Sequence, residues 1–348
     1  ALEQGANPGR GGYGAAMEAA RVVFDCREAA GKLFHCKPEQ VVLTSNCTHG
    51  LNIAIGSLVK PGARVLISGF EHNAVTRPLY ARQADIRIAG KQLFSWEELL
   101  DDFRRELKKG VDAAVFTHVS NVFGYILPVE EMAGLCRQAG VPFIVDAAQS
   151  AGSLDVDMTG WGADYIAMPG HKGLLGPQGT GLLLCGNPGT PLLFGGTGSQ
   201  SRSREMPRDL PERLEAGTMN VPGAAGLGAG LRLIQRKGIR NIFDREHRQA
   251  AACARQLKEL GLRVFSGPHQ AATISFQARE DCETLADYLG KQNIAVRAGL
   301  HCAPLAHESA GTIEKGTVRV SFGHTASDDQ RNALIAALER RRRSRGRL

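Results

Sequence analysis

The chain has 348 residues, of which 43% are hydrophobic and 22% charged, the balance of a soluble globular protein with a large core. No apolar run approaches the roughly 18 residues that a membrane helix needs, so we expect a cytoplasmic protein without a membrane anchor. The formal net charge is +7, but six arginines lie in residues 340–348, which leaves about 7 − 6 = +1 for the rest. The basic character therefore belongs to a C-terminal tail. No aromatic residues are interleaved with its arginines, so nucleic acid is not the expected partner.

The eight cysteines are scattered and contain no C-x-x-C pair, so the sequence predicts no zinc or iron–sulfur site. We expect no secretory signal, and disulfides are therefore not expected either. Most of these cysteines should behave as small buried hydrophobic residues.

Short apolar runs alternate with helical segments through the first half of the chain. The runs lack the period-2 alternation of half-exposed strands, which is typical of strands covered on both faces. The predicted strands are 41–45, 64–68, 113–119, 142–148, 163–168 and 179–185, and the predicted helices are 17–34, 47–58, 96–109 and 129–139. This rhythm predicts an α/β fold with a mostly parallel, doubly wound sheet.

The second half has a different character. A Gly/Ser/Arg/Pro-rich loop at 195–213 precedes a helix rich in small residues at 222–238. The remaining predicted elements mix helices at 244–260, 281–292 and 327–343 with strands at 272–277 and 317–322. We therefore expect a large domain at 1–238 whose N-terminal strand is missing, a smaller α+β domain at 239–339, and the basic tail at 340–348.

Polar residues follow several of the predicted strands, at the sheet edge where α/β proteins bind ligands. Thr48 begins a helix, where it either caps the helix or binds phosphate together with backbone N–H groups. His72 either stacks on a planar cofactor or is an ordinary loop histidine. His118 and Asn121 are equally ambiguous.

Asp146 and Lys172 give a sharper signal at the ends of two strands. A carboxylate ending a buried strand needs a partner, and a lysine among glycines either binds phosphate or holds an aldehyde. Neither the phosphate-loop motif nor the dinucleotide fingerprint is present. An amine and a carboxylate in this arrangement suggest pyridoxal 5'-phosphate (PLP), whose aldehyde binds the amine and whose ring nitrogen pairs with the carboxylate.

Eight motifs occur in the order found in class V aminotransferase-fold enzymes: "TSNCTHGLN", "EHNAVTRP", "HVSNVFG", "VDAAQSAG", "GHKGLLGPQGTG", "EAGTMN", "RAGLHCAP" and "GTVRVSFG". The chain most resembles the cysteine desulfurase branch of this family. The resemblance covers nearly the whole chain and implies the PLP-dependent transferase fold of type I. It also implies a homodimer with active sites at the subunit boundary.

The resemblance implies roles for several residues of the site. The residues expected to contact the PLP ring are Lys172 at the aldehyde, Asp146 at the nitrogen, Gln149 at the phenolic oxygen and His72 on the face. The residues expected to bind its phosphate are Thr48, His171, and Gly217 and Thr218 from the partner subunit. Asn121 and Arg319 are expected to hold the substrate carboxylate, with Arg297 beside them.

Cys302, in "RAGLHCAP", matches the family's sulfur nucleophile. Arg297 and His301 are nearby groups that we expect to favour its thiolate. The resemblance implies that L-cysteine is converted to L-alanine, that a persulfide forms on Cys302, and that an acceptor protein takes the sulfur.

Three alternatives stay open at the level of sequence. The chain could act on L-selenocysteine as a lyase, or be another class V aminotransferase or lyase, with the same PLP site and no essential Cys302. Cys302 would then be an inert loop residue. A non-catalytic protein that uses the fold as a dimeric scaffold is a third alternative, disfavoured by the intact Asp146, Lys172 and Arg319.

Overall fold

The structure is a computed structural model that describes residues 6–8 and 11–345. Within these residues the larger sheet has seven strands in the order β1–β7–β6–β5–β4–β2–β3. Its strands are β1 (Val41–Thr44), β2 (Arg64–Ser68), β3 (Asp85–Ala89), β4 (Ala113–Thr117), β5 (Phe143–Asp146), β6 (Tyr165–Pro169) and β7 (Gly181–Cys185). β7 runs antiparallel to β1 and β6, and the other pairs are parallel. The mostly parallel sheet is therefore confirmed.

Helices cover both faces of this sheet. They are α1 (Gly14–Phe34), α2 (Cys47–Leu58), α3 (Asn73–Ala81), α4 (Trp96–Lys108), α5 (Val129–Ala139), α6 (Met158–Trp161) and α7 (Val221–Lys237). Two separate hydrophobic clusters form, one on each face. The strands β4, β5, β6 and β7 are buried at every position, which explains their continuous apolar sequences.

β3 is a strand that the sequence analysis missed. Its first four residues alternate between exposed and partly buried positions, and its last residue, Ala89, is buried. Asp85 and Arg87 point to solvent and pair with each other. It lies at the edge of the sheet, where one face and one side remain open. A search for continuous apolar runs overlooks such a charged edge strand.

Close packing between α7 and the site-bearing loops depends on the small residues of α7. A Cβ atom at Gly230 would lie 2.3 Å from the carbonyl oxygen of Leu174, which follows Lys172 by two residues. A side chain there would push apart the helix and the loop. The small-residue composition of this helix therefore serves to seat the lysine loop.

The remaining strands form a second, antiparallel sheet in the order β10–β11–β9–β8. They are β8 (Arg263–Phe265), β9 (Thr273–Gln277), β10 (Arg297–Gly299) and β11 (Thr317–Ser321). The helices of this half are α8 (Ile239–Glu259), α9 (Cys282–Gly290), α10 (Pro304–Ser309) and α11 (Asp328–Arg345). α8, α9 and α11 pack on the second sheet around a third hydrophobic cluster, whereas α10 packs against the two clusters of the larger sheet. α7 ends one residue before position 238 and α8 begins one residue after it, and the domain division there stays a prediction.

The basic segment at 340–348 begins inside a helix, since α11 continues to Arg345. Arg341 makes two hydrogen bonds to Glu280 and lies over the ring of Tyr288. Residues 346–348, the end of the predicted tail, lie outside the described residues. In the part of the chain that the structure covers, none of the helices combines the length and apolar character of a membrane span.

Candidate active site

Six strands of the larger sheet end at the same edge, because β1 to β6 share one direction and β7 alone runs the opposite way. A cavity lies at this edge. The predicted site residues that line it are Thr48, His72, Asn121, Asp146, Gln149, His171 and Lys172. The sheet therefore brings together side chains that are far apart in sequence, as expected for an open parallel sheet.

Asp146 is the last residue of β5 and is only 3% exposed. Its Oδ1 atom accepts hydrogen bonds from the Ala148 backbone N–H at 2.9 Å and from the Cys47 thiol at 3.4 Å. Cys47 is the first residue of α2 and lines the same cavity. The sequence analysis did not assign Cys47 to the site.

Lys172 follows β6 and reaches the cavity through a glycine-rich turn. The residue is accessible from solvent, yet protein atoms crowd around its amine, and this desolvation lowers the pKa of Lys172, with the Asp146 carboxylate acting in the opposite direction. Among the described residues, Lys172 and Asp146 form no direct ion pair although both line the cavity. The amine and the carboxylate therefore remain available to a ligand between them.

His72 caps the N-terminus of α3. Its Nδ1 atom accepts the backbone N–H of Ala74 at 3.0 Å, so the neutral ring carries its proton on Nε2. Desolvation is the main cause that lowers the pKa of His72, and the Asp146 carboxylate opposes it. The ring is therefore neutral near pH 7, and its orientation is fixed by the cap.

The carboxyl group of Glu71 anchors the segment that carries His72. It is fully buried and accepts hydrogen bonds from the Ser68 hydroxyl and from the Thr117 backbone N–H, at the ends of β2 and β4. Burial raises the pKa of Glu71 to about 8. This carboxyl joins two strand ends, of which Thr117 lines the cavity, and Glu71 was not singled out from the sequence.

Cys302 is the one exposed cysteine of the eight. Both His301 and Cys302 adopt the left-handed backbone conformation, with φ of 51° and 57°, which is unfavourable for residues other than glycine. Two hydrogen bonds hold the turn against the cavity wall. The Asn73 N–H donates to the Cys302 carbonyl at 2.7 Å, and Asn121 Nδ2 donates to the His301 carbonyl at 2.8 Å. The thiol therefore sits on a short, fastened turn beside the cavity.

The prediction that His301 favours the Cys302 thiolate is wrong. The His301 side chain is 3% exposed and turns away from the sulfur, with Nε2 in contact with the Thr317 carbonyl at 3.2 Å. Burial, aided by the charge of Arg319, lowers its pKa to about 3, so the ring is neutral near pH 7. Arg297 does lie by the thiol, with Nη2 3.8 Å from the sulfur.

Arg297 and Arg319 are directly opposite each other on β10 and β11. Like charges in this cross-strand position repel, and the pair is stabilised when an anion lies between or beside them. Arg319 Nη1 donates to the Asn121 carbonyl at 2.9 Å, while Arg319 Nε and Asn121 Oδ1 are buried without partners in the described part of the chain. These unpaired groups next to the cavity are suited to a carboxylate and its ammonium or amide neighbours.

Gly217 and Thr218 are exposed and do not line the cavity that contains Lys172. Thr218 instead lines an adjacent cavity with Ser45 and His49. Two residues before Gly217, Glu215 forms a buried ion pair with Arg27 at 2.6 Å. This ion pair holds the chain in place just before the Gly217 segment. The expectation that Gly217 and Thr218 reach the site of a partner subunit stays a prediction.

Residues 2–334 match the aminotransferase class-V family. The chain belongs to this family. A probable cysteine desulfurase from Methanothermobacter thermautotrophicus is 31% identical over 97% of this chain and 88% of the relative. A probable cysteine desulfurase from Pyrococcus abyssi is 30% identical over 97% of this chain and 88% of its own length.

The fold is also found in solved structures. The apo structure of a cysteine desulfurase from Thermococcus onnurineus superposes with a TM-score of 0.90 at 29% identity, covering 99% of this chain and 89% of that one. The cysteine desulfurase CsdA from Escherichia coli gives a TM-score of 0.83 at 25% identity, covering 95% and 86% of the two chains. The predicted class V fold is therefore confirmed.

Proposed function

We propose that the protein is a PLP-dependent cysteine desulfurase that converts L-cysteine to L-alanine and carries the released sulfur on Cys302. The observation that carries the proposal is the position of an exposed thiol on a turn fastened to the wall of the cavity that holds Asp146 and Lys172. The similar proteins named as cysteine desulfurases support it.

The residues of the cavity fit PLP. Lys172 and Asp146 face one cavity without pairing, and His72 presents a neutral ring. Thr48 is exposed at the start of α2, and a helix N-terminus is suited to bind phosphate. Lys172 would hold the aldehyde, and Asp146 would hold the ring nitrogen. When bound, PLP supplies an electron sink for the substrate α-carbon.

The other roles follow from position around the cavity. Gln149 and His171 would contact the phenolic oxygen and the phosphate, respectively. Asn121 and Arg319 would hold the substrate carboxylate, and Arg297 would lie between that carboxylate and the thiol. The site thus orients the substrate with its sulfur toward the turn that carries Cys302.

Sulfur transfer by this site is balanced without an external oxidant. The Cys302 thiolate forms an S–S bond to the substrate sulfur as the carbon–sulfur bond breaks. The electron pair of that bond stays with carbon, which takes up a proton to give alanine. Arg297 stabilises the attacking thiolate by its charge. The persulfide left on Cys302 is exposed to solvent and would be emptied by a thiol of an acceptor protein.

The homodimer is supported by large apolar side chains that the single chain leaves exposed. Met17 and Phe24 of α1 are 60% and 51% exposed, and Phe194 is 77% exposed in the loop that precedes the Gly217 segment. An isologous interface over these residues would bring Gly217 and Thr218 to the phosphate end of the partner's cavity. A cytoplasmic location is part of the same proposal.

Alanine production tests the function. Purified protein with PLP and L-cysteine should release alanine and, with a thiol reductant, sulfide. Cys302→Ala should lose this activity, whereas Cys253→Ala, at a buried position of α8 in the third hydrophobic cluster, should keep it. A wild-type protein that turns over L-selenocysteine but not L-cysteine would be a selenocysteine lyase instead. Full activity of Cys302→Ala on L-cysteine would refute the role of the thiol.

A further inference from the structure

Cys47 lines the cavity and is buried, whereas Cys302 is exposed on the turn beside the cavity. Cys47 is 7% exposed, it opens α2, and its sulfur lies 3.4 Å from Oδ1 of Asp146. The neighbouring Thr48 lines the same cavity. Cys47 therefore connects the helix that faces the phosphate end of the cavity with the carboxylate at the ring-nitrogen end.

Both hydrogen bonds that Asp146 accepts through its side chain fall on the same oxygen. The Ala148 N–H comes from the chain just after β5, and the Cys47 S–H comes from α2. In the described residues, the other carboxylate oxygen receives no hydrogen bond from the protein. Two donors on Oδ1 from different elements fix the rotation of the carboxylate and leave Oδ2 for a ligand.

The protonation state of Cys47 suits a donor. Burial, with the Asp146 carboxylate adding to it, raises the pKa of the Cys47 thiol well above its usual range. The thiol therefore keeps its proton near pH 7 and is a poor nucleophile. Cys47 is accordingly no rival to Cys302 for sulfur transfer.

We propose that Cys47 is a positioning residue whose S–H bond to Oδ1 of Asp146 orients the carboxylate so that its other oxygen meets the ring nitrogen of PLP. This inference rests on the proposed function. Cys47 acts through Asp146 and touches no reacting atom. Loss of the Cys47 thiol should weaken the binding of PLP in the absence of substrate.

The test compares Cys47→Ala with Cys47→Ser by titrating PLP into the PLP-free proteins and following absorbance or fluorescence. Serine keeps a donor at the same position, while alanine removes it with a similar change of volume. We expect the dissociation constant for PLP to rise about fivefold to tenfold in Cys47→Ala, the scale of one hydrogen bond to a charged group with a weak donor. Cys47→Ser should stay within about twofold of wild type. Cys253→Ala, which removes a buried thiol far from the cavity, should bind as wild type does.

An infrared measurement reads the hydrogen bond without PLP. The S–H stretching band that disappears in Cys47→Ala belongs to this thiol, and it should move to the higher frequency of a free thiol in Asp146→Ala. A packing role predicts equal losses in the alanine and serine variants and no movement of the band.

The outcomes separate the two claims. If the wild-type protein does not bind PLP, the proposed function fails and the inference fails with it. If wild type binds PLP but Cys47→Ala binds equally well, or Cys47→Ser is as weak as Cys47→Ala, the inference alone is overturned. An S–H band that is unaffected by Asp146→Ala also overturns it.

Discussion

Replacing Arg297 with methionine removes a positive charge 3.8 Å from the Cys302 sulfur. Both residues are exposed, so the medium between them is close to water in its dielectric response. At this distance the attraction between unit charges is then about 1 kcal/mol. Such an energy corresponds to about a sixfold change in an equilibrium constant. We therefore expect the rate at which an electrophile alkylates the Cys302 sulfur to fall about sixfold in Arg297→Met, because the guanidinium group lies where it stabilises negative charge on that sulfur.

Iodoacetamide added to the PLP-free protein measures this rate, because a negatively charged sulfur is the attacking group in alkylation. Cys302 is the one exposed cysteine, so peptide mass analysis assigns the modification, with Cys302→Ala as the blank. Arg297→Lys should retain much of the wild-type rate. Arg279→Met, at another exposed arginine, should alkylate as wild type does. An unchanged rate in Arg297→Met, or an equal loss in Arg279→Met, would refute the electrostatic role of Arg297.

Three further predictions follow from other parts of the structure. Asp146→Ala should reduce alanine production far more than Gln149→Ala, because under the proposed function only the carboxylate would keep the ring nitrogen protonated; comparable losses in a turnover assay would contradict this. Glu215→Gln should lower the free energy of unfolding by about 3 kcal/mol in urea titrations, since it leaves the buried Arg27 charge without its partner, and a loss below about 1 kcal/mol would argue against the pair. The pKa of His301 is about 3 in the folded protein and near 6.5 when unfolded, so its contribution to stability is complete above about pH 6.5 and is lost as the pH falls. The loss of stability between pH 7 and pH 5 should therefore be smaller in His301→Asn than in wild type, and equal losses would contradict the buried, neutral ring.

The strand-end residues could be predicted from the sequence because the physics of a parallel sheet is simple. Apolar strands that share a direction deliver the residues after them to one edge, and Asp146 and Lys172 are conspicuous as charges that follow such strands. Their convergence on one cavity needed no knowledge of side-chain orientation. The edge strand β3 was not predicted, because its alternating charged residues interrupt the apolar run that the search looked for.

The surroundings of the cysteines could not be read in the same way. Cys47 looks like any small apolar residue in sequence, and its one visible signal is its place next to Thr48 at the start of α2. His301 adjoins Cys302, but adjacency does not fix direction. The left-handed backbone at both residues sends the imidazole inward to Thr317 and leaves the thiol outside.

The location of the transferred sulfur tests the central claim most directly. The protein is loaded with PLP, given L-cysteine, and analysed by intact mass and peptide mapping without reductant. We predict one added sulfur atom on the peptide that contains Cys302, together with release of alanine. Alanine release without a persulfide on Cys302, or with the added sulfur on another cysteine, would contradict the account.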